Sequence, residues 1–187
     1  MMAKIFIFRH GQTFDNRNHT FSGWRDVDLT PEGIDEAKLI GVKLKDEPVN
    51  KAYQSDQVRS KQTLELVLNG YHKNVEVITD PRIKERSYGD LTGQNKDEVA
   101  KKEPEKYELW HRSYDVPPPN GESIQMVEKR VFAFLDDLKA NLKSEDVIFI
   151  SSSANAIRPM RKYFEGLTNE EIMSYEYTPG EIFDYEV

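Results

Sequence analysis

Ala3-Lys4-Ile5-Phe6-Ile7-Phe8 runs directly into Arg9-His10-Gly11-Gln12-Thr13. The apolar stretch is short and β-prone, and it stops at a polar turn containing glycine, the pattern of a buried strand that opens an α/β sheet. A histidine after such a strand stands at the carboxyl edge of the sheet. There, Gly11 predicts a close backbone approach to an anion, and Arg9 a clamp on phosphate oxygens. The tripeptide alone is common, so the rest of the chain has to supply the context.

Working outward, Thr30-Pro31-Glu32 combines a capping residue, a proline for the first helical position and an acid in the first turn. Ile34, Ala37, Gly41 and Leu44 then follow at helical spacing. A short strand at Ala52-Tyr53, a helix over 57–68 and a strand over 75–78 come next. Residues 82–122 are polar and rich in glycine and proline, with helical signals around 95–102 and 105–110. They carry Tyr88, Leu91, Tyr107, Trp110 and Tyr114, and so read as an excursion over the sheet. Ile124, Val127, Val131, Phe134, Leu135, Leu138 and Leu142 form the cleanest helical stripe. A buried strand over 146–150, helices over 155–165 and 169–175, and a closing strand over 181–186 complete the chain. Alternation of this kind predicts an α/β fold in three layers, a mostly parallel central sheet flanked by helices on both faces. The whole of 1–187 reads as one domain, with 82–122 covering a substrate.

The chain has 187 residues, 37% hydrophobic and 32% charged, enough for one hydrophobic core and unlike a membrane or disordered protein. With 26 Lys and Arg against 33 Asp and Glu, the net charge of -7 argues against nucleic-acid or anionic-membrane partners. An anionic ligand then needs a local basic pocket. Cysteine is absent, which removes thiolate metal sites and cysteine nucleophiles. The apolar run before Arg9 is too short for a signal peptide, and a cytoplasmic location is expected.

Further motifs follow in order: Asn16, Phe21-Ser22-Gly23-Trp24, Leu29-Thr30-Pro31-Glu32-Gly33, Ser55 with Arg59, and Glu85-Arg86-Ser87-Tyr88-Gly89 with Gly93-Gln94-Asn95-Lys96. Then come Trp110-His111-Arg112-Ser113-Tyr114-Asp115-Val116-Pro117-Pro118, Glu165-Gly166-Leu167-Thr168 and Thr178-Pro179-Gly180. In this order the sequence resembles the cofactor-dependent phosphoglycerate mutases and related histidine phosphatases over almost its whole length. The resemblance implies a phosphoglycerate mutase-like fold and an isomerase that interconverts 3- and 2-phosphoglycerate through a phosphohistidine at His10. It also implies 2,3-bisphosphoglycerate as phosphoryl primer and a small phosphorylated carboxylate as substrate, with no metal. Arg9 and Arg59 would spread charge over the phosphoryl oxygens, Asn16 would donate to them, and Glu85 would act as general acid and base from a partly buried position. Tyr88, Lys96 and Arg112, with Ser22 and Gly23, would bind the carboxylate and distal phosphate, with His111 at that far end. An assembly of identical chains stays open.

Taken singly, Arg59 and Lys96 read as solvated charges, Tyr88 and Trp110 as packing aromatics, and His19 and His72 as ordinary loop or surface residues. One position departs from the family. Counting back from Arg158 puts Ser153 where a second catalytic histidine stands in the family, and Ala154 where its glycine stands. A serine hydroxyl is a shorter, neutral donor, so transfer is expected to be ~10²–10³-fold slower while phosphate binding persists. Asn155 opens a helix whose amino end faces the pocket.

Two alternatives follow. A histidine acid phosphatase is favoured by the short entry Pro119-Asn120-Gly121-Glu122-Ser123 and by the little tail before Val187, both of which admit water. A non-catalytic module binding phosphorylated ligands is supported by Ser153 alone. The second clamp implied by Asn95-Lys96 and the 110–118 segment favours the mutase.

Overall fold

The fold grows from a buried strand, β1 (Lys4–Arg9), whose apolar residues alternate between two helical layers. The computed structural model describes residues 2–187, with the side chain of Arg112 outside that description. A single turn, α1 (Phe14–Arg17), is followed by α2 (Pro31–Leu44), β2 (Lys51–Gln54), α3 (Val58–Leu68) and β3 (Glu76–Thr79). Short 3-10 turns at Pro81–Ile83 and Gly89–Leu91 lead into α4 (Lys96–Lys102) and α5 (Pro104–Arg112). The chain closes with α6 (Ile124–Ala140), β4 (Val147–Ser152), α7 (Ala154–Glu165), α8 (Asn169–Ser174) and β5 (Ile182–Glu186).

The sheet has five strands in the order β3-β2-β4-β1-β5. The β1–β4, β2–β4 and β2–β3 pairs are parallel, while β5 runs antiparallel on the edge of β1. This is the expected mostly parallel α/β fold with helices on both faces. On one face Ile5, Ile7, Ile148 and Ile150 pack with Val127, Val131, Phe134 and Leu135 of α6 and with Ile157 and Met160 of α7. On the other, Phe6, Phe8, Val147 and Phe149 pack with Ile40 and Leu44 of α2 and Leu64 and Val67 of α3. Adjacent strand residues point to opposite faces, so a strand covered on both sides reads as an unbroken apolar run.

A third cluster joins Phe21, Tyr88, Leu91 and Val99, with Tyr107 and Trp110 against it. It holds the 82–122 excursion down as a lid of its own small core, beside the carboxyl end of the sheet. Tyr88, Tyr107 and Trp110 pack there, while Tyr114 lies against Lys162 of α7.

Two local readings change. Gly11 is not placed for an anion: its amide donates to Thr63 Oγ1 at 3.1 Å. A Cβ on Gly11 would lie 2.1 Å from the carbonyl oxygen of Gly33, so the glycine lets the loop after β1 touch the first turn of α2. His72 is not a free surface histidine either. Its ring meets Phe149 edge-on at 5.4 Å, and burial lowers its pKa. His19 is an exposed loop residue, 3.4 Å from Asp97.

Candidate active site

His10 continues β1 by one residue. Its amide donates to the Ser152 carbonyl at 2.9 Å, which extends the β1–β4 ladder and fixes the backbone at the sheet's carboxyl edge. The side chain is buried, 6% exposed, with Nδ1 2.8 Å from the Gly11 carbonyl oxygen. That carbonyl can only accept, so it assigns the proton to Nδ1 and leaves the Nε2 lone pair for the cavity. Burial first, then the charges of Arg59 and Arg9, hold the imidazole pKa well below its ordinary value. The ring is therefore a neutral base or nucleophile, not a resident cation.

The cavity beside it has a volume of about 240 Å³ and is lined by Arg9, His10, Asn16, Ser22, Gly23 and Arg59, among others. Of the other residues expected from sequence, Glu85, Tyr88, Lys96, His111, Ala154 and Asn155 also line it, while Ser153 does not. Among the described residues, the cationic side chains of Arg9, Arg59, Lys96 and Arg158 share this cavity in a chain of net charge -7. It is the local basic pocket that the overall charge required.

Arg59, far from being a solvated helix charge, is 1% exposed. Its Nη1 donates to the Arg25 carbonyl at 2.9 Å and its Nη2 to that of Gly23 at 2.8 Å, so α3 positions the loop carrying Ser22 and Gly23. Burial lowers its pKa, against the opposing charge of Glu85. The Nε atoms of both Arg9 and Arg59 are buried without a hydrogen-bond partner among the described residues. Asn16 spends its carboxamide oxygen on the Thr13 amide, 3.1 Å away in the cap of α1, which leaves its NH₂ as donor. Asn155 donates to the Tyr88 hydroxyl at 3.1 Å, joining the first turn of α7 to the excursion.

Glu85 is buried, and one carboxylate oxygen accepts from the Arg86 amide at 2.7 Å. Its backbone is held from three sides. The amide donates to Gln57 Oε1 at 2.9 Å, while the carbonyl accepts from Trp24 Nε1 at 2.8 Å and from Arg130 Nη2 at 3.0 Å. Arg130 on α6 also binds the carbonyls of Arg82 and Lys84. A carboxylate on an irregular segment is thus fixed by rigid helices, the condition for proton transfer at a defined atom.

Ser153 is fully buried at the amino cap of α7, but Ala154 and Asn155, not Ser153, form the cavity wall there. Its hydroxyl makes no hydrogen bond among the described residues and does not cap the helix. Arg112, expected at the far end, lies outside the described side chains. Sequence reasoning used Arg158 only as a ruler, yet it lines the cavity, as do Thr20, Met173, Glu176 and Tyr177. The Asn155–Arg158 spacing, one helical turn, was the signal available for Arg158. Nothing comparable marked Gln57 or Arg130.

Among the described residues, no group of three or more His, Cys, Asp or Glu side chains is arranged to hold a metal, and no helix is long and apolar enough to cross a membrane. The fold and this edge-of-sheet cavity define an α/β protein of the phosphoglycerate mutase-like class. The sequence matches the family model of the histidine phosphatase superfamily, branch 1, over residues 5–186, and the chain belongs to that superfamily. It is similar to the 2,3-bisphosphoglycerate-dependent phosphoglycerate mutase of Rhizobium meliloti, 37% identical over 96% of this chain and 88% of that one. The protein of the same name from Brucella melitensis biotype 2 is also 37% identical, over 96% and 90%. Among solved structures, Bacillus stearothermophilus YhfR superposes with a TM-score of 0.88 at 22% identity, over 99% of this chain and 91% of that one. The α-ribazole phosphatase of Shigella flexneri gives 0.84 at 22%, over 97% and 89%. These two likenesses concern the fold alone.

Proposed function

We propose that the chain is a phosphoglycerate mutase that interconverts 3- and 2-phosphoglycerate through a phosphohistidine at His10. The observation that carries the reading is one cavity holding a neutral His10, whose Nε2 lone pair is free, together with the charges of Arg9 and Arg59 and the carboxylate of Glu85. The relatives at 37% identity that bear the mutase name add support.

His10 Nε2 attacks phosphorus as the bond from phosphorus to the departing oxygen breaks, and Glu85 gives that oxygen its proton. Arg9, Arg59 and the Asn16 amide bear on the equatorial oxygens, where negative charge is exposed in the loose transition state. In the reverse half, Glu85 takes the proton of the accepting hydroxyl and the phosphoryl group leaves His10. Tyr88, Lys96, Ser22, Gly23 and His111 hold the carboxylate and second phosphate. They retain the glycerate while it turns over in the cavity. The cationic side chains of the cavity suit a bisphosphorylated anion, and 2,3-bisphosphoglycerate as primer supplies the first phosphoryl group. Ser153, withdrawn behind Ala154, slows the transfer.

A second reading, hydrolysis by an acid phosphatase, has one observation in its favour. A smaller cavity of about 150 Å³, lined by Thr178, Pro179 and Gly180, also reaches Arg9 and His10 and gives water another approach.

Phosphorus NMR of 3-phosphoglycerate with the protein, with and without 2,3-bisphosphoglycerate, separates the two. The mutase reading predicts primer-dependent 2-phosphoglycerate well in excess of inorganic phosphate. Inorganic phosphate as the main product, with or without primer, contradicts it.

A further inference from the structure

Gln57 stands at the amino cap of α3, yet its side chain makes no capping hydrogen bond. That position ordinarily takes Ser, Thr, Asp or Asn, whose short side chains reach back to the first turn. Here the Gln57 carbonyl accepts from the amides of Ser60 and Lys61 at 3.1 and 3.2 Å, which fixes its backbone, while Asp26 in the loop after Gly23 accepts from the Val58 amide at 2.9 Å. The helix end is served by others. The Gln57 carboxamide, on a residue 3% exposed, is turned to a different task.

Its Nε2 donates to the Gly23 carbonyl at 2.9 Å, and its Oε1 accepts from the Glu85 amide at 2.9 Å. A carbonyl can only accept and an amide N–H only donate, so the two partners together assign the oxygen and the nitrogen of the side chain. Gly23 and Glu85 line the cavity from separate stretches of chain, and Gln57 itself does not line it. The Gly23 carbonyl also accepts from Arg59 Nη2 at 2.8 Å. Hydrogen bonds therefore run from Arg59 through Gly23 and Gln57 to the backbone of Glu85. Trp24 and Arg130 meet Glu85 at its carbonyl, whereas Gln57 takes its amide, on the other side of the Cα that carries the carboxylate. Pinning both sides of that Cα fixes the direction in which the side chain leaves the backbone.

We propose that Gln57 is a positioning residue, whose carboxamide sets where the Glu85 carboxylate stands relative to Arg59 and the Gly23 loop. The inference rests on the proton-transfer role given to Glu85 above, and it predicts a loss confined to phosphoryl donors whose departing oxygen needs a proton. With 2,3-bisphosphoglycerate the Nε2–P bond forms, the O–P bond breaks, and Glu85 passes its proton to the departing alkoxide oxygen. With 2,4-dinitrophenyl phosphate the same bonds form and break, but the phenolate leaves without a proton.

Initial rates of His10 phosphorylation by these two donors, followed by intact-protein mass spectrometry, give a ratio that general damage to the protein does not move. Gln57→Asn keeps a carboxamide and a favoured cap but is one methylene too short to span both partners, and Gln57→Leu keeps the bulk without the hydrogen bonds. The expected result for both is a ratio of bisphosphoglycerate to dinitrophenyl rates at least ~10-fold below wild type, with Glu85→Gln marking the full change when the proton donor is lost. An unchanged ratio in either Gln57 variant, whether neither rate moves or both fall together, overturns the proposal and leaves Glu85 in its role. An unchanged ratio in Glu85→Gln sinks the proton-transfer reading and this inference with it, as does a wild-type protein that takes a phosphoryl group from neither donor.

Discussion

At the scale of single residues, the site depends on an imidazole that is kept neutral. An unfolded histidine titrates near ~6.5, whereas burial and the charges of Arg59 and Arg9 hold His10 well below that. Below the unfolded value, the unfolded chain takes up a proton that the folded chain refuses. The contribution of His10 is therefore fully present above about pH 6.5 and is lost as pH falls towards the folded value, at up to ~1.4 kcal/mol per pH unit. Urea unfolding of wild type and His10→Asn between pH 7.5 and 5 should show a steeper acid-side loss for wild type; parallel curves would mean that the ring is not held neutral. His10, Arg9, Arg59, Asn16 and Glu85 were legible because their residue types stand in a family order, which the chemistry makes sense of one by one. Tyr177 and Arg158 were not, because an aromatic and an arginine near the end of a chain pack or solvate more often than they line a cavity.

At the scale of elements, the register of the site is set by contacts between loops and helices. Gly11 and Gly33 touch backbone to backbone, and no side chain fits between them: a Cβ on Gly33 would lie 2.0 Å from the Gln12 carbonyl oxygen. Gly11→Ala should cost ~2 kcal/mol or more and lower Tm by several degrees, since backbone has to move to admit the methyl. A variant with wild-type Tm would show that the loop and α2 do not depend on this contact. The sequence marks α2 through Thr30 and Pro31, and α6 through its apolar stripe, because caps and periodicity are local signals. It does not mark α1, whose single turn is closed by Thr13 and Asn16 alone. Nor does it mark the grip of Arg130 on residues 82–85, a contact between elements that are far apart in sequence.

At the scale of the whole molecule, a doubly covered sheet brings separate stretches of chain to one edge, among them the loop of Asn16, Ser22 and Gly23 and the segment after α8. The β1 end delivers Arg9 and His10, α3 delivers Arg59, the excursion delivers Glu85, Tyr88 and Lys96, and the first turn of α7 delivers Ala154 and Asn155. The parallel core was legible from alternating strands and helices. The antiparallel setting of β5 was not, because an apolar strand carries no mark of its direction. The proposed function turns on one claim, a phosphoryl group carried on His10. Wild type and His10→Ala, each incubated with 2,3-bisphosphoglycerate and examined by intact-protein mass spectrometry without acid, test it most directly. The account predicts one added phosphoryl group, acid-labile and mapped to His10, on wild type and none on His10→Ala. An unmodified wild-type protein, under conditions that label a known mutase, or an adduct that survives His10→Ala, would contradict it.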